Sequence, residues 1–257
     1  PTTHSEGTIS AMVISNGDSI SYGIKRMEYD HIPYQFMLNE AKAKLVSSDI
    51  KLAGTNIGYI PGAGDEVAEC LAQIGYNVTI LSDELLSKIN LNGFDAIVTG
   101  IRAYNTNDWL QNHSQKLLDY INQGGNFIVQ YNTNNRIGPL ISKISPYPFN
   151  ISRERVTDEK AEIRFNEPAS STLNFPNKIS PDDFTGWKQE RGIYFASDAD
   201  PAYQKVLSMN DPGEKANDGS LIVAKYGKGN FVYTGLVFFR ELPAGIPGAY
   251  RLFVNLL

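Results

Sequence analysis

At 257 residues, with 42% hydrophobic and 20% charged side chains, the chain has an ordinary globular composition and the length for a full α/β core plus an appendage. A net charge of −5 argues against a nucleic-acid surface, and no apolar run is long enough to span a membrane. The single cysteine excludes an internal disulfide, and His4, His31 and His113 lack the spacing of paired ligands, so no metal and no cofactor is expected.

The N-terminal stretch is β-rich in texture. Residues 9–14 and 19–24 read as strands joined at Asn16-Gly17-Asp18, because Asn-Gly suits a two-residue hairpin turn. Ile32-Pro33-Tyr34 breaks the pattern, and residues 42–50 alternate as a linker strand or edge. The chain begins at Pro1, so we read it as a fragment of a longer polypeptide. Residues 1–50 are expected to be the tail of a preceding domain, and 51–257 the α/β domain. The other reading is a β extension of one domain.

Residues 56–60 are the first α/β strand, and Pro61-Gly-Ala-Gly64 is the turn after it. A helix follows over 65–74, with Val67, Leu71 and Ile74 on one face and Gly75 as its stop. Residues 77–81 form a second strand and 83–89 a short helix. Residues 94–134 carry the central unit of strand, polar loop, helix, strand and polar loop. Its helix is expected to be capped by Asn107 or Asp108, to bury Leu110, Leu117, Leu118 and Ile121, and to end at Gly124. Beyond Asn134 the pattern predicts a helix at 137–144, a strand at 161–165 and a long polar loop at 166–190. Strands at 192–196 and 205–209 follow, then a hairpin of 221–226 with 230–234 closed by Gly227-Lys228-Gly229, and a last helix at 248–257.

The two central strands, joined by one crossover, are expected to open their following loops on the same sheet edge, where ligands bind in open α/β sheets. Those loops supply the candidate ligand-binding residues Arg102, Tyr104, Asn105, Tyr131, Asn132 and Asn134. Amide, phenol and guanidinium groups on one rim suit a polyhydroxylated ligand, a carbohydrate, although Asn-rich loops also form turns for their own sake. Gln189-Glu190-Arg191-Gly192 and Phe239-Arg240-Glu241-Leu242 each set an acid beside a base. Glu190 and Arg191 join the candidate site on the expectation that a strand starting at Gly192 begins near that edge and that a buried arginine needs an acid.

Other chemistries are weaker. Gly62-Ala-Gly64 lacks the third glycine of a dinucleotide turn, since Val67 stands there, and Asp65 and Glu66 put negative charge where pyrophosphate would bind. As acids at a helix start they suit its dipole without any ligand. Cys70 lies mid-helix among apolar positions and reads as a small core residue. No G-x-S-x-G elbow is present.

The first strand and helix, the 94–134 block and the Gly227-Lys228-Gly229 hairpin together resemble the class I glutamine amidotransferase-like fold. Within it the chain is most similar to the ThuA-like branch, through Asp95 and Gly124-Gly125. More narrowly, NIGYIPGAGDEV, AIVTGIRAYNTN, VQYNTN, GWKQERGIYF, SMNDPGE and GLVFFRELPAGIPGAYRLF resemble the C-terminal region of bacterial PIG-L (LmbE-like) deacetylase proteins, over roughly residues 29–257. The resemblance implies a flavodoxin-like, mostly parallel sheet with helices on both faces. It also implies an upstream zinc deacetylase domain as partner and an exported, periplasmic or extracellular setting.

Departures from these families bear on chemistry. The elbow stretch Gln130-Tyr131-Asn132 has no cysteine, Gly235-Leu236-Val237-Phe238 has no histidine, and the deacetylase's His-Pro-Asp-Asp motif is absent. The expectation is a non-catalytic accessory module that binds glycan or docks on the deacetylase. The alternatives are a sugar-acting hydrolase using Glu190 and Arg102, and a structural spacer.

Overall fold

The computed structural model describes residues 5–134 and 144–257. The helix expected at 137–144 lies outside them but for Ile144. The chain divides into two compact units, Pro1–Asp49 and Ile50–Leu257.

The first unit is built of antiparallel strand pairs. β1 (Ser5–Ser10) pairs with β6 (Lys42–Ser47), β2 (Val13–Ser15) with β3 (Asp18–Ile20), and β4 (Tyr22–Met27) with β5 (Gln35–Glu40). Between β2 and β3 sit Asn16 and Gly17 at φ 53° and 88°, the paired left-handed conformation that a tight hairpin requires. The stretch 9–14 is not one strand. It breaks at Ala11, whose N–H donates to Ala41 O at 2.8 Å, and the chain passes from one ribbon to the next. Two-stranded ribbons cover little apolar surface, and Ile14 and Phe36 are 70% and 62% exposed.

The second unit holds one seven-stranded sheet. In chain order its α/β part runs β7 (Asn56–Ile60), α1 (Val67–Gln73), β8 (Asn77–Ile80), α2 (Asp83–Lys88), β9 (Ala96–Thr99), α3 (Ala103–Thr106), α4 (Ser114–Gln123) and β10 (Asn126–Gln130). Short pieces follow: β11 (Asn150–Ile151), β12 (Arg155–Val156), β13 (Arg164–Phe165), α5 (Ser171–Asn174), β14 (Gly192–Ile193), β15 (Ala196–Ser197), β16 (Gln204–Lys205) and β17 (Leu207–Ser208). The chain closes with β18 (Leu221–Tyr226), β19 (Gly229–Thr234), α6 (Phe238–Glu241) and α7 (Pro247–Leu256).

The sheet order is β16-β18-β19-β10-β9-β7-β8. From β8 to β19 every neighbour is parallel, and β18 and β16 continue antiparallel at one edge. The first strand lies inside the second, and the later ones step away on the other side. This is the flavodoxin-like winding, with its switch point between β7 and β9. Alternation along the strands sends Ala96, Val98, Ile128 and Val232 to a core with α1 and α7, and Ile97, Phe127, Val129, Phe231 and Tyr233 to a core with α2 and α4. The fold is therefore a three-layer α/β/α sandwich with a flavodoxin-like, mostly parallel sheet.

Further local expectations differ. The segment expected to start the central helix is wound as a 3-10 turn over Asp108–His113, and α4 begins only at Ser114. Asn107 forms no side-chain cap, because its amide donates to Pro61 O at 2.7 Å across the sheet edge. The stretch 166–190 is not an open loop. Leu173, Ile179, Phe184 and Trp187 are buried in the core with α7, the Trp187 indole donates to Asp183 O at 3.0 Å, and Asp183 pairs with Arg251 of α7 at 2.8 Å.

Candidate functional site

The switch point is filled by the protein itself. Asp65, in the loop after β7, accepts the Ile101 N–H at 2.9 Å and the Tyr59 hydroxyl, while Ala63 N–H donates back to Ile101 O at 2.8 Å. A Cβ on Gly62 would stand 2.0 Å from Ile101 O, so glycine is required there by backbone approach and not by a phosphate. Burial drives the Tyr59 hydroxyl well above the ordinary tyrosine range, and the Asp65 charge adds to the shift.

One strand further along, the loops after β9 and β10 interlock. Arg102 N–H donates to Tyr131 O at 2.8 Å and Tyr104 N–H to Asn132 Oδ1 at 3.0 Å. Asn132 Nδ2 donates to Gln130 O at 3.0 Å. Asn105 and Thr133 exchange two bonds, Nδ2 to O at 3.0 Å and N–H to Oδ1 at 2.8 Å. These asparagines are buried and hold the two loops in register. Tyr104 is buried in the helix-side core, and burial raises its hydroxyl far above the ordinary range, so it is not a stacking surface for a ligand. Asn134 faces the other way, its Nδ2 donating to Ile151 O at 2.7 Å and its Oδ1 accepting Arg153 Nε at 3.2 Å.

An aromatic and ionic cluster forms a rim around Tyr131, which is itself buried at 7% exposure and so offers no open face to a ligand, contrary to the sequence-based expectation. Its ring stacks on Tyr194 at 5.7 Å and 7° and tilts against Phe239 at 5.5 Å. Burial raises the Tyr131 hydroxyl, and the charges of Arg102 and Arg240 act against that shift. Arg240 lies over the Phe239 ring at 4.8 Å and its Nε pairs with Glu190 Oε1 at 3.1 Å. Tyr194, Phe239, Arg240, Glu190 and Arg102 are all half-buried. Arg102, Gln189 and Tyr194 sit at φ 57°, 68° and 53°, so backbone strain collects around this rim.

Glu190 reaches the rim by a different route from the one expected. β14 pairs with β12 outside the main sheet, but Gly192 bridges Leu236, and Ile193 N–H donates to Gly235 O at 2.8 Å, just beyond the end of β19. The acid is taken up by Arg240 and not by Arg191 or Arg102. Arg191 does not join the rim. It is buried under Phe184 and Trp187, its Nε donates to Ala161 O at 3.2 Å and Nη1 to Phe184 O. Burial lowers its ordinary guanidinium value, and the nearby Glu241 opposes that. Glu241 is fully buried, takes the Lys188 N–H at 2.9 Å, and is pushed up to about 7 by burial.

Tyr194, Phe239, Arg240 and Arg153 were outside the sequence-derived set. Phe239-Arg240 carried a signal as an acid–base neighbourhood at a strand end. Tyr194 carried none, because its stacking depends on a left-handed residue between two short strands. Among the described residues, no group of three or more His, Cys, Asp or Glu is placed to hold a metal ion, and no helix is long and apolar enough to cross a membrane.

No protein-family profile and no curated protein sequence matches the chain. Solved structures with a similar fold include PurLQS from Thermotoga maritima, at 12% identity and a TM-score of 0.46 over 79% of this chain and 98% of that one. A ThuA-like protein from Bacteroides uniformis gives 11% identity and a TM-score of 0.45 over 81% and 92%. A β-galactosidase from Rahnella sp. R3 gives 14% identity and a TM-score of 0.45 over 79% of this chain, which spans only 32% of that enzyme's length.

Proposed function

We propose that the chain is a carbohydrate-binding accessory module of a PIG-L-type deacetylase, seating sugar at the Tyr131 rim. The observation that carries this reading is the pair of half-buried rings Tyr194 and Phe239, packed on the buried Tyr131 at the carboxyl edge of the sheet, with the charges of Arg102, Arg240 and Glu190 acting on that residue. Aromatic faces and guanidinium forks are the groups that hold sugar rings and hydroxyls. The link to a deacetylase rests on the long sequence motifs, and residues 1–50 would join the module to its catalytic neighbour. Glycan-array binding followed by calorimetry on the intact chain tests the reading. Binding should be found, and Tyr194→Ala should weaken it by roughly tenfold. An array with no bound glycan would leave the spacer reading, in which the interlocked asparagines serve only the fold.

A second reading, a sugar-acting hydrolase, is favoured by Glu190, a carboxylate only 15% exposed at the same rim and held by an arginine. Glycoside hydrolysis ordinarily takes a pair of carboxyl groups across the scissile bond. Turnover of an aryl glycoside or an N-acetylated sugar that is lost in Glu190→Gln would select this reading over simple binding.

A further inference from the structure

We infer that the sugar at this rim is acidic, carrying a carboxylate that Arg102 receives. The inference rests on the carbohydrate reading above and adds the charge of the ligand to it.

Arg102 is held in a conformation that a long side chain seldom adopts, φ 57°. Its backbone is fixed by its own N–H on Tyr131 O at 2.8 Å and by Asn105 N–H on its carbonyl at 2.8 Å. The Cα from which the side chain departs is thus fixed by the interlocked loops. Its Nε is buried and has no hydrogen-bond acceptor, and among the described residues no carboxylate pairs with it. Buried donors are almost always satisfied, so the unpaired Nε shows that no internal acceptor engages this side of the guanidinium, and a ligand would be met by its outer nitrogens.

The local charge points the same way. Arg102 and Arg240 both act on the Tyr131 hydroxyl, and Glu190 is the acid that acts on it with them. Glu190 is engaged by Arg240 at 3.1 Å. Of the charged groups that act on the Tyr131 hydroxyl, the two cations outnumber the one anion, in a chain whose net charge is −5. A planar guanidinium meets a planar carboxylate through two parallel bonds, which gives the ligand a fixed orientation beside the Tyr131–Tyr194 stack.

Calorimetry on the intact chain with an oligogalacturonate and with its neutral methyl ester tests this, at low and at high salt. The acid should bind roughly 10- to 100-fold more tightly than the ester, with the advantage shrinking as salt rises. Arg102→Gln should bring the ratio close to one. Arg102→Gly should do the same, and glycine accepts the positive φ, so the fold is retained. Equal affinity for acid and ester overturns the inference while leaving the carbohydrate reading intact. Failure of both sugars, with an empty glycan array, overturns both. Tighter binding of a sulfated sugar overturns the carboxylate assignment, and a preference that survives in both Arg102 variants overturns the role of Arg102.

Discussion

Asn105 and Thr133 lie 28 positions apart and pair as two residues in a sheet ladder do, with Nδ2 donating to the Thr133 carbonyl at 3.0 Å and the Thr133 N–H returning to Oδ1 at 2.8 Å. One side-chain amide thereby supplies what a strand neighbour would supply, beyond the point where β9 and β10 end. Asn132 does the same for the Tyr104 N–H at 3.0 Å. Removing either amide strands a buried backbone group, at about 1–3 kcal/mol. Asn105→Ala and Asn132→Ala should each lower the unfolding free energy by that amount, read as a fall in the urea midpoint at unchanged slope. The sequence alone suggests ligand contacts here, whose loss would leave stability almost unchanged, so the denaturation curve separates the two roles.

Cys70 is buried on α1 against the core that includes Tyr250, and burial raises its thiol above the ordinary range. The sulfur is therefore kept as a thiol, the opposite of what a nucleophile needs. Ellman's reagent should react with it only as the chain unfolds. Cys70→Ser should cost about 1 kcal/mol and produce no change in any ligand binding. Rapid labelling of the native chain would contradict this placement.

The architecture was legible because the central strands are short unbroken apolar runs. Ala96–Thr99 and Phe127–Val129 have no solvent face to alternate toward, and that is the mark of a parallel strand under helices on both sides. Gly124, at φ 124°, ends α4 where the sequence places the stop. Less was legible where tertiary contacts decide. Residues 166–190 have no period, yet Phe184 and Trp187 bury themselves as side chains of an irregular segment. The stretch 192–196 reads as one strand but splits into β14 and β15, since Tyr194 turns through φ 53° to lay its ring on Tyr131. The rim is made by that turn, and its formation depends on residues more than 60 positions away. The asparagines showed that the loops are polar, but whether they face a ligand or one another is a question of packing that composition does not answer.

Glu241 should make the fold pH-dependent in an unusual direction. Its carboxyl is fully buried and pushed up to about 7 by burial, with the Lys188 N–H and the Arg191 charge opposing. The native state thus holds a proton that the unfolded chain releases at ordinary carboxylate values. This contribution is complete at lower pH and is lost as pH rises through about 7, a change of up to about 3 kcal/mol. Urea unfolding followed from about pH 5.5 to about pH 8 should show stability declining. Glu241→Gln, which keeps an acceptor for Lys188, should flatten the profile. A wild-type profile rising over that interval, or unchanged by the substitution, would refute the assignment.

Glu190 and Arg240 provide the last test, because the binding and hydrolytic readings predict opposite outcomes for one substitution. The pair is 3.1 Å apart, with the acid 15% and the base 36% exposed. An ion pair so placed contributes at most about 1 kcal/mol to stability, so Glu190→Gln should fold normally. If the rim binds an acidic sugar, Glu190 neutralises half of its positive charge. Its replacement releases the Arg240 guanidinium, which lies over the Phe239 ring at 4.8 Å, to a second interaction with the ligand. Affinity for an oligogalacturonate should rise about 3- to 10-fold, while affinity for the methyl ester stays within about twofold. If Glu190 instead performs proton transfer or attack, the amide cannot replace it, and turnover should fall by about 100-fold or more with binding little altered. A fall in affinity for acid and ester alike would mean that Glu190 orders the rim through Arg240, and that the balance of two cations against one anion does not govern what binds there.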